Sequence, residues 1–456
     1  MLEKRGRGAG FGRKPRDRRL VIGLAIASLL LRPGTISAQE SPVDGDLAAE
    51  LAPQAVADGQ DAGDKEVDYL EAEYANHPTW FWDEGLRVLL PRAKLHARIG
   101  GWLQLDGMLI GDNPAVTRVV GPLEAGAEVR RARLNVEGDA IGLLEYRLRF
   151  EVTGFGGTLR DFFVGVRGER FRLRVGHMRE PIGMENNTSG LNTTFMERSL
   201  PTPRVSLFST GVLVSNGSRS IFHLPGEVRR FTYSVGVFQN SNSQALVEGS
   251  SRAITGRVTA LPIDGSGGRP LLHAGVSFST RWYGEEDTVR LAQRPEANLA
   301  PDFVFTENLK WSRSQHLFFE GALVWNRVLL QAEYVRSWGS LRDEAGTPFE
   351  TGGFQLLGSY FLTDDMRVYR YNNGSFGPVY PTNPFPQGTG AIELTTRLSH
   401  IDTDDDPLKG GRLTDWTLGV NWYWTRNTRW SVNYINAWLR DVGHVPIVQA
   451  RFQISV

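Results

Sequence analysis

The segment that most constrains the fold of this 456-residue chain is Arg170–Val175, where three arginines alternate with three apolar residues. Successive side chains of a β-strand point to opposite faces, so one face would carry only arginine and the other only hydrocarbon. A membrane barrel turns its apolar face to lipid and its polar face to a water-filled lumen. Similar alternation recurs from Lys94 to Val456 in about sixteen runs, which predicts an all-β fold: a transmembrane antiparallel β-barrel of about 16 strands. A soluble all-β sandwich is the alternative.

The N-terminal residues predict an exported protein. Residues 1–38 combine a cationic start, a twelve-residue apolar run from Leu20 to Leu31 and a small-residue exit that ends at Ala38. This is the pattern of a signal peptide, and the apolar run is too short to span a bilayer as a helix. Residues 39–89 carry thirteen acidic side chains against Lys65 and Arg87 and predict an acidic periplasmic leader, disordered or with a short helix. The barrel domain is then expected at 90–456.

The composition excludes several classes of protein and site. The chain has no cysteine, so disulfides and thiolate sites are absent. No later apolar run reaches 18 residues, which argues against a helical membrane protein. The formal net charge of zero conceals a division, because residues 90–456 contain 40 basic and 36 acidic side chains. That mild basic surplus does not by itself identify a ligand.

Ten arginines are candidates for lining a pore and binding anions. They are Arg98, Arg131, Arg133, Arg147, Arg149, Arg170, Arg172, Arg174, Arg179 and Arg198. Arginine stays charged and presents a fork of donors to oxyanions, and rings of basic residues favour anions in pores. The alternative is that the neighbouring carboxylates neutralise these arginines in cross-lumen ion pairs that stiffen the wall. Those carboxylates belong to Glu137, Glu145, Glu151 and Asp161.

No catalytic or metal-binding motif emerges from the sequence, and we expect no cofactor and no nucleic-acid partner. The acidic run Asp402–Asp406 is followed by Pro407, where an EF-hand calcium loop needs glycine. The glycine-rich stretch 154–157 precedes no Gly-Lys-Ser/Thr, so it predicts a hairpin turn and not a phosphate-binding loop. We therefore expect no enzyme; an outer-membrane barrel hydrolase is the alternative from that class.

Several motifs resemble the phosphate-selective O/P porin family. The strongest are GHMREPIGME at Gly176–Glu185 and TFMERSLP at Thr194–Pro201, and weaker ones lie in the same order at 100–106, 130–133, 361–365 and 419–423. The resemblance covers about Trp82 to Val456. It implies a sixteen-stranded barrel in the outer membrane of a Gram-negative-type cell, a homotrimer, and an inward-folded constriction loop that includes Met184–Pro203. It also implies passive diffusion of anions, which are phosphate or polyphosphate in the characterised members.

Together these features predict an outer-membrane diffusion porin that prefers small anions, with phosphate or related oxyanions as solutes and outer-membrane lipid around it. The barrel has only Lys94, Lys310 and Lys409 as lysines, and glutamates stand among its arginines. This predicts weak binding of phosphate. A non-selective barrel, or a structural barrel plugged by its own loops, is the alternative. Long insertions at 177–209, 283–311, 339–351 and 362–387 are predicted as loops, and Asn326–Arg327 as a periplasmic turn.

Overall fold

The computed structural model describes residues 77–83, 85–153, 157–168, 171–202, 208–215, 231–239, 250–265 and 268–456. The predicted signal peptide, most of the predicted leader and Arg170 lie outside these residues. Among the residues described, no helix has both the length and the apolar character needed to cross a membrane.

Sixteen antiparallel strands form a closed barrel in which each strand pairs with its neighbours in sequence, so the predicted sixteen-stranded antiparallel barrel is confirmed. Pairing of the last strand with the first, Ile447–Ser455 with Trp102–Ile110, closes the cylinder. Closure leaves no unpaired strand edge in the lipid. A hairpin of β1 (Thr79–Trp82) and β2 (Leu86–Leu90) precedes the barrel and pairs with the beginning of its first strand. The barrel strands β3 to β18 are, in order, Leu95–Ile110, Gly126–Ala140, Leu144–Glu151, Thr158–Arg167, Arg172–Arg179, Phe208–Ser215, Phe231–Gln239, Arg252–Asp264, Leu271–Trp282, Leu309–Trp325, Val328–Leu341, Pro348–Phe361, Ala391–Asp402, Arg412–Thr425, Thr428–Leu439 and Gly443–Ser455.

The few helical and short extended segments lie in the connections. A helix α1 (Pro114–Val120) is capped by the Asn113 side chain, which accepts hydrogen bonds from two backbone amides of its first turn. The remaining segments are a 3-10 turn at Pro91–Ala93, the one-turn helix α2 (Met184–Asn187), Thr288–Val289 paired with β12, and the two-residue pairs Ala292–Gln293 with Val304–Phe305 and Tyr369–Arg370 with Ser375–Phe376.

The strands form because the chain meets lipid on one face and polar side chains on the other. In β16, Trp416, Leu418 and Val420 are exposed on the outer surface, while Thr417 and Asn421 are buried inside. The period of two along each strand sets these faces, and a shift of one residue would exchange them. The alternation in the sequence therefore fixes the inner and outer surfaces.

The two ends of the barrel differ in their connections. At the end where β3 begins and β18 finishes, β4–β5, β12–β13 and β16–β17 are joined by two or three residues each. We call this the turn end, and the opposite one the loop end. Outer-membrane barrels have short turns on the periplasmic side and longer loops outside, so the loop end corresponds to the cell exterior.

Three connections fold into the lumen. Residues 180–202, the constriction loop, enter from the loop end after β7 with Met184, Phe195 and Leu200 fully buried. Residues 283–308 enter from the same end. Residues 362–390, the turn-end loop, enter from the opposite end with Tyr369 and Phe376 buried. The cores inside the barrel are therefore formed between these connections and the inner faces of the later strands.

Candidate pore lining

The constriction loop is held across the lumen by hydrogen bonds to distant strands. Glu333 on β13 accepts hydrogen bonds from the backbone amides of Met184 and Glu185, at 3.2 and 2.8 Å. The carboxylate of Glu185 accepts from the Ser199 hydroxyl at 2.6 Å and contacts Arg397 of β15 at 3.1 Å. These contacts fix both ends of the segment, and the inward fold that the resemblance implied is confirmed for residues 184–202. Pro203 lies outside the described residues.

One carboxylate of this loop, that of Glu197, contacts three arginines. Arg130 donates to both oxygens of Glu197, at 2.8 and 2.9 Å, and Arg131 approaches the same group at 3.4 Å. Arg451 of β18 donates to it at 2.7 Å. Burial alone would raise the pKa of Glu197, but the charges of these arginines outweigh it and hold the pKa well below its usual range.

A β-bulge brings Arg130 and Arg131 of β4 to Glu197. Gln104 and Leu105 of β3 are opposite Arg131 and Val129, so Arg130 has no opposite residue. An extra residue in one strand changes the direction of the side chains around it. Strict alternation would have turned Arg130 toward lipid, whereas the bulge directs it into the lumen beside Arg131.

Nine arginines on β3 to β7 share five carboxylates, and we call this set the arginine wall. Its pairs are Arg98 and Arg147 with Glu137; Arg130 and Arg131 with Glu197; Arg133 with Glu151; Arg149 with Asp161; and Arg167, Arg172 and Arg174 with Glu145. Seven of the nine side chains are 19–40% exposed. Each carboxylate can neutralise one charge, so the wall keeps a basic excess.

Toward the turn end of the arginine wall, the aromatic ring of Phe163 lies between two arginines. Arg174 and Arg147 lie over the ring of Phe163, at 4.7 and 5.5 Å from its centre. Arg174 also donates to Glu145 at 2.7 Å, and Arg147 donates to Glu137 at 2.7 Å. Such contacts hold the guanidinium groups in place, and both side chains remain partly exposed.

Two of the predicted lining arginines are nearly buried. Arg131 and Arg133 are each 8% exposed. Arg133 donates to Glu151 at 2.6 Å and lies 4.9 Å from the centre of the Trp102 ring. Their donors are used within the protein, so these two side chains support the wall more than they line the passage.

Arg179 and Arg198 meet at the constriction loop. Both donate to the backbone carbonyl of Thr188, at 3.2 and 2.9 Å, and Arg179 also donates to the carbonyl of Asn186. Burial lowers the pKa of Arg198, against the charges of Glu185 and Glu197, which raise it. Nine of the ten predicted arginines therefore lie on the inner side of the barrel, Arg131 and Arg133 nearly buried there, and Arg170 lies outside the described residues.

We call the inner face of β10 to β18, together with the turn-end loop that packs on it, the packed side. Most of its arginines are buried, unlike most of those of the arginine wall. Arg257, Arg281, Arg367, Arg397 and Arg451 are at most 11% exposed and each contacts a carboxylate. Two further buried acids, Glu333 and Asp415, make no ion pair with an arginine among the described residues, and Arg429 contacts Tyr423 and backbone oxygen. Carboxylates therefore outnumber arginines here. No group of His, Cys, Asp or Glu in the described part of the chain could hold a metal ion.

Sequence reasoning missed three parts of this lining. Arg130 was hidden by the bulge, and Glu197, although part of the TFMERSLP motif, has no sequence signal for its three partners. Arg167 was also missed, yet it lies within 3.9 Å of Glu145. Alternation could have found Arg167, because it shares a face of β6 with Phe163 and Gly165.

Comparisons with known proteins give a family. The sequence profile of the family described as phosphate-selective porin O and P matches residues 120–454. An uncharacterized protein of Caulobacter vibrioides is 28% identical over 342 residues, 73% of this chain and 67% of that protein. Porin O of Pseudomonas aeruginosa is 28% identical over 127 residues, 26% of this chain and 28% of that protein. OmpT, an outer membrane protein of Vibrio cholerae, shares the fold with a TM-score of 0.52 at 10% identity, over 80% of this chain and 98% of that chain.

Proposed function

Because the chain belongs to the phosphate-selective porin O and P family of the outer membrane, we propose that small anions diffuse through its lumen along the arginine wall. One observation carries this proposal: nine arginines share five carboxylates on the side of the lumen whose side chains remain exposed. The packed side has no comparable exposure. The excess positive charge therefore faces the water-filled part of the barrel.

The mechanism is electrostatic. An anion that enters from the loop end meets Arg179 and Arg198 at the constriction, then Arg149 and Arg98, and finally Arg174 near the turn end. Basic side chains lower the free energy of an anion in the narrow lumen, and several weak sites in series keep its release fast. We propose Arg131, Arg133, Arg147 and Arg172 as further members of this series, the first two by supporting the wall.

We propose that phosphate binds weakly. Each guanidinium group of the wall already lies within 4 Å of a carboxylate, and Glu137, Glu145 and Glu197 reduce the positive field. A doubly charged oxyanion would have to replace these internal partners to gain full coordination. Oxyanions should therefore pass with modest retention and without tight binding.

A planar-bilayer recording with a potassium chloride gradient tests the proposal. We expect a reversal potential of the sign that marks chloride as the more permeant ion, and a weaker preference at high salt because the screening length falls. Cation preference would contradict the charge argument. Block of chloride current by micromolar phosphate would contradict weak phosphate binding while leaving anion preference intact.

The second candidate is a plugged barrel without conductance, and one observation favours it. The constriction loop and the turn-end loop touch: the Phe376 amide donates to the Thr188 hydroxyl at 3.4 Å, and Arg367 donates to the Asn192 carbonyl at 3.1 Å. Together they fill the lumen beside β10 to β18. Inserted protein with no current over a wide voltage range would support the plug.

We also propose that three copies assemble, as the family resemblance implies. A homotrimer predicts three coupled conductance steps for each insertion and a mass of three chains in detergent. A monomeric mass with single steps would contradict it. Hydrolytic turnover by the purified protein on ester or phosphate substrates would favour the barrel-hydrolase alternative, and we propose that none occurs.

A further inference from the structure

A row of basic and aromatic side chains crosses the outer surface at the loop end. Arg252 of β10 is opposite Trp282 of β11, and Trp282 is opposite Arg313 of β12. Paired residues of antiparallel strands share a face, so the three side chains lie side by side. All three are exposed, and their strand neighbours Ala253 and Ser314 are buried in the interior. The row therefore faces away from the lumen.

The two arginines of this row differ from two other arginines on the outer surface near the loop end. Arg336 pairs with Glu350, and Arg412 pairs with Asp402 at 2.8 Å. Among the described residues, neither Arg252 nor Arg313 forms an ion pair. Their guanidinium donors are thus available to an external partner.

Two acids of the connection that follows Trp282 are engaged elsewhere. Asp287 accepts from the Ser251 hydroxyl at 2.5 Å and from the Gly284 amide at 2.9 Å. Glu286 contacts Lys310 at 3.1 Å. Neither acid neutralises the Arg–Trp–Arg row.

The height of the row matches the edge of the bilayer. Below it on β12 the outward positions are Gln315, Leu317, Phe319, Gly321 and Leu323, and Trp325 is exposed near the turn end. Arg313 and Trp325 are twelve positions apart, which is roughly 40 Å along the strand and about 30 Å along the axis for a tilt near 40°. An apolar band of about 25 Å with aromatic residues at both borders leaves Arg313 at headgroup level.

We propose that this row binds the phosphate of a lipid headgroup in the outer leaflet. The guanidinium groups of Arg252 and Arg313 can each donate two parallel hydrogen bonds to phosphate oxygens. The indole of Trp282 between them suits the boundary between acyl chains and water. The site faces lipid, so it is separate from the anion passage and does not depend on it. Its effect is to anchor the barrel at this side through lipid contacts.

The test measures heat unfolding of the purified protein in neutral detergent with added lipid A. Bisphosphorylated lipid A should raise the unfolding temperature of the wild type, and monophosphorylated lipid A should raise it less. The variant Arg252→Gln/Arg313→Gln should need about ten-fold more lipid for the same rise, since two charge-assisted contacts are lost. The matched control Arg336→Gln/Arg412→Gln should behave like the wild type, because its arginines already have partners. Each single variant should lose part of the effect.

Other outcomes would overturn the proposal. An equal rise in the double variant would show that lipid binds elsewhere, and an equal rise with inorganic phosphate would show a site for free phosphate. A changed oligomer mass in the double variant, with the lipid effect intact, would make the row a contact between copies of the chain. The double variant should keep the conductance and ion preference of the wild type in bilayers.

Discussion

The arginine wall and the packed side share one lumen but use arginine for different purposes. On the wall, most arginines are partly exposed and outnumber their carboxylates, so positive charge is left for a passing ion. On the packed side the arginines are buried, and carboxylates outnumber them. The role of an arginine in this barrel therefore depends on its exposure and on how many carboxylates surround it, and not on its presence in an inward-facing position alone.

The largest effect on stability is expected on the packed side. Arg397 is 1% exposed and contacts Glu296 at 2.5 Å and Glu185 at 3.1 Å. The variant Arg397→Gln would leave both carboxylates buried without their cation, which costs about 3–5 kcal/mol. Unfolding in detergent with urea or heat measures this loss. The control Arg147→Gln on the wall removes a partly exposed pair and should cost no more than about 1 kcal/mol. Equal costs would remove the distinction between the two sides.

The next prediction concerns which face of each strand points to the lumen, because both sides of the lumen depend on it. Arg172 contacts Glu145 inside the barrel, and its neighbour Leu173 shares the outward row of Val166 and Val214. Leu173 is the second residue of β7 and lies close to the turn end, so Leu173→Arg should cost no more than about 1 kcal/mol, as for arginine near the border of the bilayer. In vesicles, a cysteine at position 172 should react faster with a water-soluble reagent than a cysteine at 173. The reverse order of reactivity would show that the faces are exchanged.

The sequence predicts the regular parts of the barrel, but it does not predict the irregular contacts that distinguish the two sides of the lumen. Period-two alternation predicts the strand number and the faces, because lipid and water impose it on every strand. The bulge that brings Arg130 to Glu197 has no signal in the sequence, since it depends on which residue of β3 lies opposite. The sequence indicates a loop at 362–387, but it carries no signal for the entry of this loop from the turn end. That entry depends on distant partners such as Glu393, which Arg367 reaches at 2.5 Å.

A smaller effect, on ion preference, is expected at the wall. The variant Arg147→Gln/Arg172→Gln/Arg174→Gln removes three charges beside the passage. One charge roughly 7 Å from an ion in water contributes about 0.6 kcal/mol, so three could lower the preference for anions on the order of ten-fold at low salt. Reversal potentials at low and high salt measure this change, which should shrink at high salt.

The matched control for this triple variant removes three arginines from the outer surface of the loop end. Arg336, Arg412 and Arg440 are partly exposed, and each lies near an acid. Their replacement by glutamine should leave the reversal potential close to that of the wild type. A shift as large as that of the wall variant would mean that ion preference comes from the overall charge of the protein and not from the lining.

The smallest expected effect is a change of ion preference or stability with pH. It concerns Glu197, whose carboxylate contacts arginines of both the wall and the packed side. Glu197 contacts Arg130 and Arg131 of the wall and Arg451 of the packed side. Its pKa is held well below the usual range, mainly because these charges outweigh burial. A carboxylate with a lowered pKa in the folded state stabilises the fold above its ordinary pKa of about 4.3, and this stabilisation is lost only as pH falls through the lower, folded value.

The contribution of Glu197 to ion preference and heat stability, taken as the difference between the wild type and Glu197→Gln, should therefore change little between about pH 8 and pH 5, where Glu197 stays ionised in both folded and unfolded chains. Reversal potentials and unfolding temperatures across that range measure the prediction, with Glu197→Gln as the comparison. A transition within the range that disappears in Glu197→Gln would show that Glu197 titrates there and that the arginines do not clamp it. In the variant, Arg130 and Arg131 lose their shared carboxylate at every pH, so its anion preference should be higher than that of the wild type throughout. An unchanged preference would mean that the loop carboxylate does not contribute to the field of the passage.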